Sequence, residues 1–177
     1  MAVYTCFESQ NMLSTHYAKR IFDAVCENDV ENGTFGYLDG VETEGGVIYN
    51  FVAGAKEGAE VVVVDQPVWT EDTSRMTNQR KDKFINEAGI PFRCRVVAKN
   101  DEMGLSAAGF SGTPEVGKAV TIDVNGKLKV EDSDPAAGAV MVGKIMRKRQ
   151  IGSTLVTDLR AYGYERMMYT VKVESLA

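Results

Sequence analysis

Short runs in which apolar and polar residues alternate dominate the chain from Pro114 to Glu174. In the clearest of them, residues 119–130, Asn125-Gly126 separates two alternating runs. Asn and Gly both tolerate the positive φ of a type I′ turn, whose twist matches that of the strands on either side. The pattern therefore predicts a β-hairpin with a type I′ turn at this dipeptide.

Further strands are predicted after the hairpin because the alternation continues to the end of the chain. They cover Ala139 to Arg147, Thr154 to Leu159 and Met167 to Glu174. Together with the hairpin they predict a small antiparallel sheet that closes on itself. No residue in these strands has a type or spacing that indicates catalytic chemistry.

The middle of the chain is rich in glycine and carries four more candidate strands, at 33–38, 47–52, 60–65 and 92–98. Four consecutive valines, Val61 to Val64, predict a strand that is buried on both faces. Between the third and fourth of these strands, the polar segment Thr70 to Lys83 offers no apolar stripe. We expect it to be a long surface excursion.

The N-terminal residues give a weaker pattern. Residues 3–7 suit a strand, but the segment up to Thr15 reads as irregular, so an extended N-terminal arm is an alternative to a packed element. From His16 to Glu27 apolar residues recur at helical spacing, and Ser14 or Thr15 can serve as N-cap. This spacing predicts one short helix.

These elements predict a mostly β protein. A small antiparallel β-barrel or sandwich is expected at the C-terminus, preceded by an N-terminal mixed β unit that carries one or two short helices. The predicted division is an N-terminal arm and short helix over 1–31, a mixed β unit over 32–109 and a small β-barrel over 110–177. A Gly-rich segment ending at Pro114 is the candidate connection.

Composition and charge narrow the function classes. The 177 residues are 44% apolar and 25% charged, which is typical of a globular protein. The net charge of -5 is opposite to that of most proteins that neutralise phosphates, so nucleic acid is not the expected partner. No apolar run approaches the length of a membrane helix, so we expect a soluble protein that does not contact a membrane.

The cysteines Cys6, Cys26 and Cys94 are odd in number and far apart, which favours a reducing place of synthesis. Cys94 alternates with two arginines and is expected to be a buried, inert thiol. His16 is the only histidine, and we expect it to lie on the surface at a helix start. These scattered residues predict neither a zinc site nor a nucleophile–histidine pair.

Two apparent motifs do not meet the requirements of their chemistry. Gly112 to Ala119 has phosphate-loop spacing, but Ala119 replaces the hydroxyl residue that ligates magnesium, and a strand follows instead of a helix. Ser111 lacks the second glycine of a nucleophile elbow, because Thr113 stands in its place. Neither motif predicts a cofactor.

Carboxylates are numerous, and they leave an enzyme with a carboxylate pair open as an alternative. They lie in Gly- and Pro-punctuated loops, where acids usually face water. Asp132 to Pro135 could gather a calcium ion but lacks a full set of oxygen ligands. No metal, cofactor or catalytic residue is therefore predicted.

The basic run Lys144 to Arg149 is the strongest local charge feature. In a strand it places several cations along an exposed edge, available to an acidic partner. Charge on an edge strand also prevents edge-to-edge aggregation, so a plain protected edge is an equal alternative. A nucleic-acid contact is the weakest of the three interpretations.

Several segments of the sequence resemble a known family. Val116 to Val130, followed by Val142-Gly-Lys-Ile145 and a closing Tyr-Thr-Val-Lys-Val strand, is similar to the small β-barrel of tailed-bacteriophage capsid decoration, or cement, proteins. Upstream, Val61 to Pro67 and Phe84 to Arg93 resemble head proteins of phages that infect Gram-positive bacteria. The shortest decoration proteins lack the N-terminal hundred residues present here.

The resemblance implies a virion structural protein, not an enzyme, that binds the outer surface of the capsid and stabilises the major capsid lattice. It further implies the major capsid protein as partner, a homo-oligomer with a trimer favoured, synthesis in the host cytoplasm and a final location on the virion. Capsid-facing parts would be the arm up to Thr15, the loop from Thr70 to Lys83 and the basic strand. The candidate partner-binding residues are Tyr4, Phe7, Met12, Arg75, Arg80, Lys83, Lys144, Arg147, Lys148 and Arg149.

Two alternatives remain open. One is a minor capsid, head-fibre or tail structural protein, which would differ in copy number and location. The other is a small carbohydrate- or oligonucleotide-binding β-barrel, which would expose aromatic residues on one sheet face. The lone Trp69, at a strand-to-loop junction, gives that alternative little support.

Overall fold

The computed structural model describes residues 3–17, 20–42, 46–68, 81–132, 135, 138–151 and 166–177, without the side chains of residues 151 and 166. Short 3-10 turns cover Lys81–Lys83 and Ala107–Gly109, and a single helical turn, α1, covers Leu13–His16. No helix in these ranges has the length and apolar character needed to cross a membrane. The strands are β1 Phe7–Asn11, β2 Ile21–Val25, β3 Phe35–Val41, β4 Ile48–Ala53, β5 Val62–Val64, β6 Phe92–Val96, β7 Glu102–Ser106, β8 Phe110–Ser111, β9 Ala119–Ile122, β10 Leu128–Glu131, β11 Met141–Ile151 and β12 Arg166–Leu176.

The prediction of a mostly β protein that contains a small β-barrel is confirmed, and the structure adds an open sheet beside the barrel. Strands between residues 21 and 96 form a closed barrel in the order β2-β4-β3-β5-β6. The first strand and the strands after residue 101 form a seven-stranded sheet in the order β1-β7-β12-β11-β9-β10-β8. The closed barrel therefore comes from the middle of the chain, and the C-terminal strands belong to the open sheet. The division at residues 31 and 109 stays a prediction, and the predicted strand at 154–159 lies outside the described residues.

Strand β5 and the valine before it join the barrel to the sheet. Val61 to Val64 are exposed by 6%, 1%, 0% and 0%. Val62 and Val64 pack inside the barrel against residues such as Phe92, whereas Val61 and Val63 pack in the larger core that the barrel shares with the sheet. The predicted burial on both faces is confirmed, because alternate side chains of one strand point into two different cores.

The predicted hairpin forms, since β9 pairs with β10 from Ala119↔Glu131 to Ile122↔Leu128. The predicted type I′ turn is wrong: of the described non-glycine residues only Asn100 has a positive φ, so Asn125 does not adopt the conformation that this turn requires. A carboxylate oxygen of Asp123 instead accepts the N–H groups of Asn125 at 2.8 Å and Lys127 at 2.9 Å. Gly126, at φ 77°, provides the only left-handed residue of the turn.

The helix predicted from His16 to Glu27 is wrong. Residues Ile21–Val25 form strand β2, which pairs antiparallel with β6 and parallel with β4 and so closes the barrel. The run is rich in β-branched and aromatic residues, which favour a pleated surface. Ala24 and Val25 are buried there, so tertiary pairing outweighs the local helical spacing.

The N-terminal residues pack onto the protein, so the extended-arm alternative is wrong for the described residues before position 18. The backbone N–H and the hydroxyl of Thr5 donate to the Glu31 carboxylate at 2.8 and 2.7 Å. Strand β1 pairs antiparallel with β7 at the edge of the large sheet. The N–H of Leu13 donates to Asp101 at 2.8 Å, which ties α1 to the loop before β7.

Candidate interaction surface

Strand β11 continues beyond the end of its pairing with β9. It pairs with β12 over its whole length, from Met141↔Leu176 to Ile151↔Arg166. On its other side it pairs with β9 only from Val142 to Lys144, and the peptide of Ile145 adds two bonds to residues 117 and 118. From Met146 onward no described residue pairs with that side. We call this side of residues 146–151 the free edge.

A β-bulge sets the direction of the side chains along the free edge. The register shifts between Ile145, opposite Val171, and Arg147, opposite Thr170. Ile145 is fully buried in the core, whereas Met146 is inserted at the bulge and is 48% exposed. The extra residue turns Arg147 away from the core. We call the side of the sheet that carries Thr170, Met168 and Arg147 the outer face.

Arginines of β11 reach the first strand across the outer face. Glu8, Gly104, Thr170 and Arg147 lie in one row across β1, β7, β12 and β11. Arg147 Nε donates to Thr170 Oγ1 at 3.1 Å, and its Nη2 donates to the side-chain carbonyl of Gln10 at 3.3 Å. A Cβ on Gly104 would come within 2.7 Å of Gln10 Nε2, so the glycine leaves room for this crossing.

The positive charge lies on both faces of the free edge. On the outer face Arg149 forms an ion pair with Glu8, which is also 4.0 Å from Lys81. On the opposite face the Lys148 ammonium is 5.7 Å from the centre of the Tyr169 ring. Residues 146–150 are all exposed. A chain of net charge -5 therefore concentrates cations on one short, accessible strand segment.

The structure places the predicted partner-binding residues in different environments. Lys144, Arg147, Lys148 and Arg149 are exposed on β11. Phe7 and Met12 lie in the core, 5% and 0% exposed, so they hold β1 and α1 in place and do not offer their side chains to a partner. The remaining predicted residues are Tyr4 and Lys83, which are half-buried, and Arg75 and Arg80, which lie outside the described residues.

The other sequence candidates sit in ordinary structural roles. Cys94 is fully buried as predicted, and burial, followed by the charges of Asp23 and Cys26, raises the pKa of its thiol. Lys118 lies in the segment with phosphate-loop spacing, and Asp132 lies in the segment considered for calcium. The two form an ion pair at 2.9 Å. Across the part of the chain that the structure describes, no cluster of three or more His, Cys, Asp or Glu could hold a metal ion.

A groove of about 760 Å³ lies where the β9–β10 turn meets the barrel. The backbone N–H of Phe35 donates to the Gly126 carbonyl at 2.8 Å, which fixes the turn against β3. The lining carries several carboxylates and one lysine, Lys127, whose ammonium is 3.8 Å from Glu31. No local signal in the sequence indicates this groove, because its lining comes from residues between 25 and 53, from Gly89 and from the β9–β10 turn, which only the fold brings together.

The chain matches no protein-family model. Searches of curated proteins and of solved structures likewise found no significant similarity.

Proposed function

We propose that this protein is a virion structural protein that binds the outer surface of a phage capsid and stabilises the major capsid lattice, without catalysing a reaction. The observation that carries the proposal is the exposed, basic free edge of β11 on a body with two packed cores. The sequence resemblance to capsid decoration proteins supports the same function. The major capsid protein is the proposed partner, and a homo-oligomer, preferably a trimer, is the proposed assembly.

The construction of the body suits a protein that resists force. The barrel packs onto the sheet through the core that contains Val61 and Val63, so the two cannot separate without exposing that core. The turn at Gly126 adds a backbone bond between the two. A rigid body transmits load between the subunits that it bridges. Because such a protein binds only the assembled shell, its binding shifts the stability of the shell by mass action.

The free edge supplies both attraction and direction. Its cations favour an approach to an acidic surface, and electrostatic complementarity fixes the orientation of a complex more than it adds to affinity. The rest of the chain is acidic on balance, so the remaining surface does not compete for the same partner. This asymmetry gives the protein one preferred docking side.

The test is to mix the purified protein with expanded phage heads that lack it and to image them by electron microscopy. We expect saturable, symmetric attachment and a higher temperature of head disruption. A variant with Arg147→Gln, Lys148→Gln and Arg149→Gln should attach at least about tenfold more weakly, since three exposed charge contacts are lost. The matched control changes Lys56, Lys99 and Lys129 to Gln, which removes the same charge elsewhere.

Failure of the wild-type protein to attach to any expanded head would contradict the proposed function. Attachment at only a few copies per head, at a vertex or tail, would instead favour the alternative of a minor capsid, head-fibre or tail protein.

A further inference from the structure

We propose that the free edge of β11 binds an extended, acidic segment of the partner protein, which adds to the sheet as one more strand beside residues 146–151. This inference rests on the proposed function and deepens it, because it names the chemistry of the partner segment and its mode of binding.

The backbone of β11 beyond Ile145 favours the addition of a strand. The segment 146–151 keeps extended strand geometry through its pairing with β12. On the opposite side no described residue accepts or donates a backbone hydrogen bond beyond Ile145. Strand edges of this kind pair readily with another extended chain, whose main-chain bonds supply affinity.

The distribution of charge along the free edge favours an acidic strand. Arg147 and Arg149 lie on the outer face, and Lys148 lies on the other face. Side chains of an added strand alternate between the same two faces. Each face of that strand would therefore meet a cation, and opposite charges on neighbouring strands stabilise the pair. Carboxylates at alternate positions would lie beside the two arginines.

The charge also excludes a second copy of this chain as the occupant. Pairing two free edges would set arginines and lysines of one copy against those of the other. Like charges directly opposite each other destabilise a strand pair. The cations thus prevent self-association at this edge while they attract an acidic segment. The basic run can therefore act both as a charge-protected edge and as a binding site for an acidic partner.

The fold limits the length of the docked segment. Residues 117 and 118 and strand β9 occupy the same side of β11 up to Ile145. A new strand can pair only along residues 146–151, a length of roughly 20 Å at the rise of a β-strand. We therefore expect recognition of a short linear segment of about six residues at that rise.

The experiment uses a synthetic acidic peptide, acetyl-Thr-Glu-Val-Glu-Val-Glu-Thr-amide, with the full-length protein. Two control peptides separate the contributions: one has Lys in place of each Glu, and the other keeps Glu but carries an N-methyl group on every internal amide, which removes the strand donors on both sides. Binding is followed by NMR titration and by amide hydrogen exchange of residues 146–151.

We expect the acidic peptide to bind, to slow exchange at the free edge and to weaken with added salt. The Arg147→Gln, Lys148→Gln, Arg149→Gln variant should lose at least about tenfold in affinity, whereas the control variant at Lys56, Lys99 and Lys129 should stay within about twofold. Equal binding of the N-methylated or the lysine peptide would overturn the inference. Unchanged binding to the triple variant would overturn it as well.

The head-attachment experiment and the peptide-binding experiment test different claims, so one can fail while the other succeeds. If heads bind the protein but the acidic peptide does not protect the free edge, strand addition is wrong and the proposed function stands. If the peptide binds at the free edge and heads do not attach, the docking mode stands and the partner is a different acidic protein.

Discussion

The Glu8 carboxylate in β1 binds the Arg149 guanidinium in β11, although the two residues are 141 positions apart and their strands are separated by β7 and β12. Both side chains are partly exposed, at 25% and 42%. Exposed ion pairs contribute little to stability. The pair matters more for binding of the proposed acidic segment, because Glu8 competes with that segment for the Arg149 guanidinium.

Glu8→Gln should therefore strengthen binding of the acidic peptide by about two- to fivefold. The freed Arg149 can form an exposed ion pair with the peptide, and such a pair is worth up to about 1 kcal/mol of binding free energy. The free energy of unfolding should change by less than about 1 kcal/mol for the same reason. Calorimetric titration measures the affinity. Glu57→Gln, which removes an exposed acid near the barrel, is the matched control and should leave the affinity unchanged. Weaker binding of Glu8→Gln would show that Glu8 does not compete with the partner.

Gly126→Ala should destabilise the protein far more than Gly117→Ala. Both glycines have positive φ, at 77° and 93°. A Cβ at Gly126 would lie 2.2 Å from the Phe35 carbonyl oxygen, whereas nothing lies within 4 Å at Gly117. We expect a loss of about 1 kcal/mol for Gly117→Ala from backbone conformation alone and about 3 kcal/mol or more for Gly126→Ala. Urea denaturation measures both, and equal losses would show that the turn does not press against β3.

Val62→Ala and Val63→Ala should each lower the free energy of unfolding by about 2–3 kcal/mol, since each leaves a cavity in a packed core. Val62 faces the barrel core and Val63 faces the core shared with the sheet. Because the two valines are neighbours on one strand, we expect a single unfolding transition in both variants. Circular dichroism and amide exchange measured along the same denaturant series provide the check. Two separate transitions in either variant would mean that the cores unfold independently.

Asp101 should make stability depend on pH. Burial raises the pKa of its carboxyl above the usual 3.8, while the N–H groups of Leu13 and Ala98 and the charge of Arg20 oppose that rise. A folded pKa above the unfolded one means that the folded state binds more protons, so this contribution to stability is full below pH 3.8 and is lost as pH rises through the folded pKa.

Asp101→Asn removes this titration. At neutral pH we expect it to cost about 1 kcal/mol, because an amide oxygen can accept only one of the two backbone N–H groups. As the pH falls toward 3.8, the wild-type protein should gain stability relative to the variant. Denaturation curves at several pH values measure the difference. A difference that is constant with pH would contradict the raised pKa.

Local patterns predicted the elements whose signals do not depend on distant residues. The turn residues Asn125 and Gly126 marked the hairpin, and the run Val61 to Val64 marked a strand buried on both faces. The same local reasoning failed at β2, where helical spacing was overruled by pairing with β4 and β6. It also gave no sign that Phe7 and Met12 are buried, since an isolated apolar residue in an irregular segment looks the same whether it faces a core or a partner.

The sequence alone determined that the protein is mostly β, that Cys94 is buried and that the cations from Lys144 to Arg149 lie on an exposed strand, because alternation, turn chemistry and charge are local properties. Only the tertiary structure decided which strands close into the barrel and where β9 stops covering β11. Strand pairing joins residues far apart along the chain, so the bulge at Met146, the free edge and the contact of Glu8 with Arg149 exist only once the sheet has assembled.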